Sequence, residues 1–295
     1  MNAGVRLVMR RRDWGDEAHL VRRARRLFGM PPMLRALWSR GAGIVPVAGP
    51  IPGEWIVPPN AESGAILFFH GGGYVAGSPA DHRPMTVGLA RRTGRRVFAP
   101  DYRLAPEHRF PAALDDACAS YRWLLDLGID PTTIVLAGDS AGGGLVLATL
   151  VRVREASLPL PARAVCFSPW ADLSASTSSV RHMDGRCHMF RTENIAAFAS
   201  AYLGGASPLD PAASPLYADL GGLPPILIQV GSTELLVDES RGVHEKILAH
   251  GGASRLEVYT DLVHVWQMLD GVVPEATAAL DEAAAFLVGT CVAAA

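Results

Sequence analysis

The stretch Ile134-Val135-Leu136-Ala137-Gly138-Asp139-Ser140-Ala141-Gly142-Gly143 decides how this chain is read. Four apolar residues run straight into Gly138, and Leu145, Val146, Leu147 and Leu150 continue beyond it. A short apolar run that ends in glycine reads as a buried strand, and the longer apolar stretch after it as a core helix. Ser140 therefore sits on a sharp strand-to-helix turn, with small neighbours that let the two elements approach closely. The G-x-S-x-G pattern in that setting makes Ser140 a nucleophile, its hydroxyl projected from strained backbone. The helix start behind it favours developing negative charge, and the N–H of Ala141 points toward it. Asp139 either shapes the pocket beside the serine or serves only the turn.

Apolar runs that read as buried strands are 65–69, 96–99, 133–137, 162–167, 226–230 and 255–260. Several lack polar alternation, as expected of strands covered on both faces. Helical stretches lie between them. Pro111 opens one, others follow Ser140 and surround Glu239–His250, and another runs near Glu275–Leu287. Alternating strands and helices predict an α/β domain with a mostly parallel sheet flanked by helices. Ligands of such sheets sit beyond the carboxyl ends of the strands, so residues that follow strands are the site candidates.

His70-Gly71-Gly72-Gly73-Tyr74 follows the strand 65–69. Successive glycines let backbone N–H groups converge on one point, because no Cβ intervenes. Two such donors, with the N–H of the residue after the nucleophile, would make an oxyanion hole, and each such donor is worth about 3 kcal/mol of transition-state stabilisation. Tyr74 is expected, with Asp139, to contact substrate. Gly71-x-Gly73-x-x-Ala76 also fits a dinucleotide fingerprint, but Ser78-Pro79 interrupts the place where its helix should begin.

A nucleophilic serine needs a histidine base, and the chain has nine. His264 alone lies just beyond a strand and ahead of the last helix. His70 belongs to the glycine segment and braces it; His19, His82, His108, His182 and His188 have no comparable strand-end position, and His244 and His250 fall within a helix. The acid that orients the base should follow the strand 226–230. Glu234 is still on that loop, whereas Asp238 falls in the first turn of the next helix, where a carboxylate complements the helix dipole. Glu234 is favoured and Asp238 stays the alternative. The order along the chain is serine, acid, histidine.

Together with Asp101-Tyr102-Arg103-Leu104-Ala105-Pro106-Glu107, these motifs resemble the hormone-sensitive-lipase family of esterases, the bacterial group often called family IV. The likeness spans residues 65–270 in order and spacing. It implies the α/β-hydrolase fold with a helical cap, a Ser140–Glu234–His264 triad, an oxyanion hole of Gly72, Gly73 and Ala141, and a homodimer. Many members carry aspartate where Glu234 stands, and Gly-Phe where this chain has Val265-Trp266. The implied activity is hydrolysis of short- to medium-chain carboxylic esters. Lactone hydrolysis would use the same triad. The resemblance also reaches the plant gibberellin receptor, a binding module with an incomplete triad; here all three positions are filled.

The rest of the sequence bounds this expectation. A chain of 295 residues, 49% hydrophobic and 19% charged, accommodates one large α/β domain. A net charge of −2 gives no sign of a nucleic-acid binder, and the chemistry calls for no cofactor or metal. Residues 1–45 and the long insertion at about 171–215 do not fit the strand–helix alternation. Both are expected to form a cap on a catalytic domain of residues 46–295, the insertion bringing Met183, Met189, Phe190, Phe198 and Tyr202. Arginines crowd the N-terminal segment (Arg6, Arg10, Arg11, Arg12, Arg22, Arg23, Arg25, Arg26) and read as a solvated helix face rather than a membrane anchor. They interrupt every apolar stretch, so no secretory leader is expected. No apolar run reaches membrane-spanning length. The four separated cysteines read as free thiols of a cytoplasmic protein.

Overall fold

The computed structural model describes residues 16–289. Among these, eight strands form one sheet: β1 (Gly43–Ala48), β2 (Pro52–Val57), β3 (Glu62–Phe69), β4 (Arg95–Pro100), β5 (Ile134–Asp139), β6 (Arg163–Phe167), β7 (Ile226–Gly231) and β8 (Ser254–Tyr259). Their order is β1-β2-β4-β3-β5-β6-β7-β8. β2 is antiparallel to β1 and to β4, and all other neighbours are parallel.

The pleat explains why the central strands are apolar throughout. Ala65, Leu67 and Phe69 of β3, Ile134 and Leu136 of β5, and Ala164 and Cys166 of β6 share one face and its core. The residues between them, Ile66, Phe68, Val135, Ala137, Val165 and Phe167, belong to the core on the other. The first face packs against α4 (Ala112–Asp126), α5 (Ala141–Glu155) and α8 (Val237–Ala249). The second is covered by α3 (Arg83–Thr93) and α9 (Pro274–Val288). Residues 141–150 of α5 are buried on every side, which accounts for the lack of a polar stripe after Ser140.

The hairpin β1–β2 is a departure from the sequence reading, which placed its first strand at residue 65. Strand β1 begins at Gly43, so the last residues of the segment 1–45 belong to the sheet. No residue of β1 is buried, and Pro46 is tolerated because the strand is an edge.

Helices α1 (Glu17–Phe28) and α2 (Pro32–Trp38) precede the sheet, while α6 (Ser178–His182) and α7 (Thr192–Leu203) lie in the insertion after β6. Asp16 caps α1 by accepting from the His19 N–H at 2.8 Å. Phe28 of α1 meets Phe190 and Phe198 of the insertion, each at 6.3 Å between centroids. Arg6, Arg10, Arg11 and Arg12 lie outside the described residues. Arg22 and Arg26 are exposed, as a solvated face requires. Arg25 is exposed too but is not free in solvent: its guanidinium grips Glu107 at 2.6 and 2.8 Å and donates to the Val75 carbonyl at 3.0 Å. Arg109 ties Glu17 at 2.9 Å to the Ala201 carbonyl at 3.2 Å. Both segments are thus anchored through residues that follow β3 and β4. Among the described residues, no helix is long and apolar enough to cross a membrane.

Candidate active site

Ser140 follows β5 at φ 53°, ψ −119°, a conformation that L side chains rarely adopt. Backbone bonds hold it there: its N–H donates to Phe167 O at 2.8 Å and its carbonyl accepts from the Trp170 N–H at 2.9 Å. A Cβ on Gly142 would stand 2.0 Å from Phe69 O, and one on Gly138 2.5 Å from Gly142 O. The small residues around the serine are therefore what lets α5 start directly beneath it.

His264 stands on the loop after β8, with Nε2 2.9 Å from Ser140 Oγ and Nδ1 2.5 Å from Glu234 Oε2. A carboxylate only accepts, so the neutral imidazole carries its proton on Nδ1 and turns a lone pair on Nε2 toward the serine hydroxyl. The other oxygen of Glu234 accepts from Ser168 Oγ at 2.7 Å and from the Gly231 N–H at 2.6 Å. Glu234 is 1% exposed, so these three donors replace its water. Asp238 is on α8, where it pairs with Arg241 at 3.0 Å.

The glycine segment after β3 carries Gly72 at φ 120° and Gly73 at φ 63°, and a Cβ on Gly72 would lie 2.1 Å from Ala76 O. As the first residue of α5, Ala141 has no carbonyl one turn back to take its N–H. His70 stacks on Tyr102 at 4.3 Å, and Tyr102 Oη donates to His70 O at 2.6 Å. Burial pushes the His70 pKa down to about 4, so the ring is a neutral brace.

These groups open on a cavity of about 510 Å³. Its walls are mostly apolar: Leu27 and Phe28 from α1, Phe190 and Phe198 from the insertion, and Trp170, Leu236 and Trp266 from the sheet edge. Phe190 meets the His264 ring edge-on at 5.2 Å. Of the apolar side chains expected from the insertion, Met189, Phe190 and Phe198 line the cavity, while Met183 and Tyr202 pack into the neighbouring core.

One expectation needs correction, and one lining residue has no counterpart in the sequence reading. Tyr74 does not line the cavity: with φ at 63° its ring turns away and stacks on Tyr202 at 3.9 Å, leaving it 2% exposed. His82, set aside for lack of a strand end, does line it. The turn Pro79–His82 carries its ring to 3.5 Å from Asp139, a juxtaposition that a strand-end rule has no means to find. Asp139 also lines the cavity, and Oδ1 accepts from the Gly71 N–H at 3.0 Å.

Residues 66–268 match a protein family described by the alpha/beta hydrolase fold. An acetyl-hydrolase of Streptomyces hygroscopicus is 43% identical over 245 residues, 83% of this chain and 82% of that protein. An esterase of Acinetobacter venetianus is 36% identical over 262 residues, 88% of this chain and 84% of that protein. Among solved structures, an esterase from the bacterial hormone-sensitive lipase family superposes with a TM-score of 0.89 at 40% identity, over 98% of this chain and 96% of that one.

Proposed function

Since this chain belongs to the α/β-hydrolase family, and within it to the esterases of the bacterial hormone-sensitive-lipase group, we propose that it cleaves short- to medium-chain carboxylic esters through an acyl-serine intermediate. The observation that carries this reading is the continuous relay from Ser140 through His264 to Glu234, at 2.9 and 2.5 Å, opening on an apolar cavity of about 510 Å³.

Ser140 Oγ attacks the ester carbonyl carbon as His264 Nε2 takes its proton. Glu234 holds the resulting imidazolium, and the N–H groups of Gly72, Gly73 and Ala141 hold the oxyanion. Collapse breaks the bond to the alkoxy oxygen, which leaves as alcohol with the proton from His264. Water, deprotonated by the same nitrogen, then releases the acid and restores the serine. The mostly apolar walls suit an acyl chain, and the acetyl-hydrolase relative is consistent with a short one. The helices from residues 16–38 and from the insertion serve as the cap. A cytoplasmic location is supported by buried, free Cys118, Cys166 and Cys187. A homodimer, testable by sedimentation, is carried over from the family.

The test is hydrolysis of p-nitrophenyl esters from acetate to palmitate, with Ser140→Ala beside the native chain. Turnover that peaks at short or medium chains and disappears in the variant supports the assignment. Activity that survives in Ser140→Ala removes it. Turnover of lactones but of no open-chain ester moves the substrate class to cyclic esters.

A further inference from the structure

The cavity holds a second histidine–carboxylate pair that the relay does not use. Asp139 immediately precedes the nucleophile, and Oδ1 takes the Gly71 N–H at 3.0 Å, fixing the residue next to Gly72 and Gly73. Gly71 makes this approach feasible, because a Cβ there would stand 2.2 Å from Asp139 Oδ2. That brace has an electrostatic drawback. A carboxylate 3% exposed, beside the place where negative charge forms on the substrate, opposes the transition state. The group placed to oppose it is His82, with Nε2 3.5 Å from Asp139 Oδ2. Its Nδ1 lies 3.1 Å from the Ser78 carbonyl, which only accepts, so Nδ1 keeps its proton and Nε2, facing Asp139, is the nitrogen that titrates.

We propose that His82 is a positioning residue: as an imidazolium it neutralises Asp139, so that the carboxylate can hold the oxyanion loop without repelling the oxyanion. This rests on the esterase reading above. Burial alone would lower the His82 pKa, but attraction to Asp139, with its hydrogen bond and the one to Ser78, outweighs burial and raises it. The groups that face it are Asp139 from the end of β5, His70 from the loop after β3, and Asp81 from its own turn. Asp81 is in turn committed to Arg35 of α2 at 2.6 Å and to Ser78. His70 is held neutral, so its ring at 5.3 Å adds no competing cation.

The sign follows from the raised value. The imidazolium persists to higher pH than that of a free imidazole and is lost as pH rises through its ionisation, so kcat has an alkaline limb that belongs to His82. His82→Gln removes the charge and leaves the carboxylate uncompensated, lowering kcat about tenfold with little change in KM and erasing the alkaline limb. Asp139→Asn, whose amide oxygen can still accept from Gly71, also erases the limb. The double variant H82Q/D139N is expected to recover several-fold over H82Q, a rescue that a purely structural role would not give. The measurement is kcat and KM for p-nitrophenyl butyrate across pH, with melting temperatures and fluorophosphonate counts of reactive Ser140 normalising for folded enzyme. Native kcat and limb in H82Q, a limb that persists in D139N, or a double variant no faster than H82Q each overturns the proposal. Ser140→Ala, run alongside, separates the two failures. If that variant stays active the esterase reading fails; if it is dead while H82Q behaves as native, only the role of His82 does.

Discussion

Replacing Glu234 by glutamine changes one heavy atom and blocks proton transfer at the site. The carboxylate accepts three hydrogen bonds: from Ser168 and Gly231 on one oxygen, and from His264 on the other. An amide has one oxygen, and two buried donors outweigh one, so that oxygen stays with Ser168 and Gly231. The amide N–H₂ then faces His264 Nδ1, and two donors cannot meet there. The imidazole must move its proton to Nε2, where it points at Ser140 Oγ and can no longer accept the serine proton. The same acid-to-amide exchange in other serine triads lowers kcat by about 10⁴, which corresponds to roughly 5 kcal/mol of barrier. KM should hardly move, because Glu234 has no contact with the ester. The assay is steady-state hydrolysis of p-nitrophenyl butyrate, with a thermal melt to show that the variant is folded. Asp238→Asn is the companion: its side chain is 30% exposed and pairs with surface Arg241, an arrangement worth about 0–1 kcal/mol, so near-native kcat is expected. Glu234→Gln within tenfold of native, with Asp238→Asn crippled, would refute this account and transfer the acid role to Asp238.

Other outcomes follow from the same geometry. Phe198→Ala, opposite Gly73 in the cavity wall, should shift the p-nitrophenyl ester optimum toward longer chains and cost about 3–5 kcal/mol of stability by denaturant melts. Gly142→Ala should give no folded enzyme, seen as loss of both soluble yield and fluorophosphonate labelling, because its methyl would lie 2.0 Å from the Phe69 carbonyl. Hydrogen bonding and attraction to Arg25 depress the Glu107 pKa from 4.5 to about 2. The pair therefore stabilises above pH 4.5 and its contribution fades as pH falls toward 2. Arg25→Ala should make the melting temperature less steep over that range, by a modest amount because both side chains are about half exposed.

The parts of this protein that could be read from its sequence are those where one residue type answers one steric demand. Ser140 between small neighbours, the glycines after β3, and Glu234 and His264 after strands all stand out because chain direction alone takes them to one edge of a parallel sheet. What escaped is what depends on three-dimensional return. The β1–β2 hairpin buries nothing in β1 and so leaves no apolar pattern. His82 reaches the cavity through a short turn, and its meaning appears only once Asp139 is seen 3.5 Å away. Tyr74 misled in the opposite sense, since its position in the motif suggested substrate while its backbone conformation sends the ring into the core. Arg25, one of many arginines in the sequence, is distinguished only by the partners it finds at Val75 and Glu107.

The bond between Ser140 and His264 spans 124 positions of chain, and that between Ser168 and Glu234 spans 66. No local segment can rehearse such a constellation; it forms only when β5, β6, β7 and β8 have all taken their places side by side. Contacts so distant in sequence close late, after the entropy of the intervening chain has been overcome. Chemical reactivity at Ser140 is therefore a clock for the end of refolding. A covalent serine probe added at intervals after dilution from denaturant would count completed molecules, and would lag behind the recovery of helical signal from α4, α5 and α9.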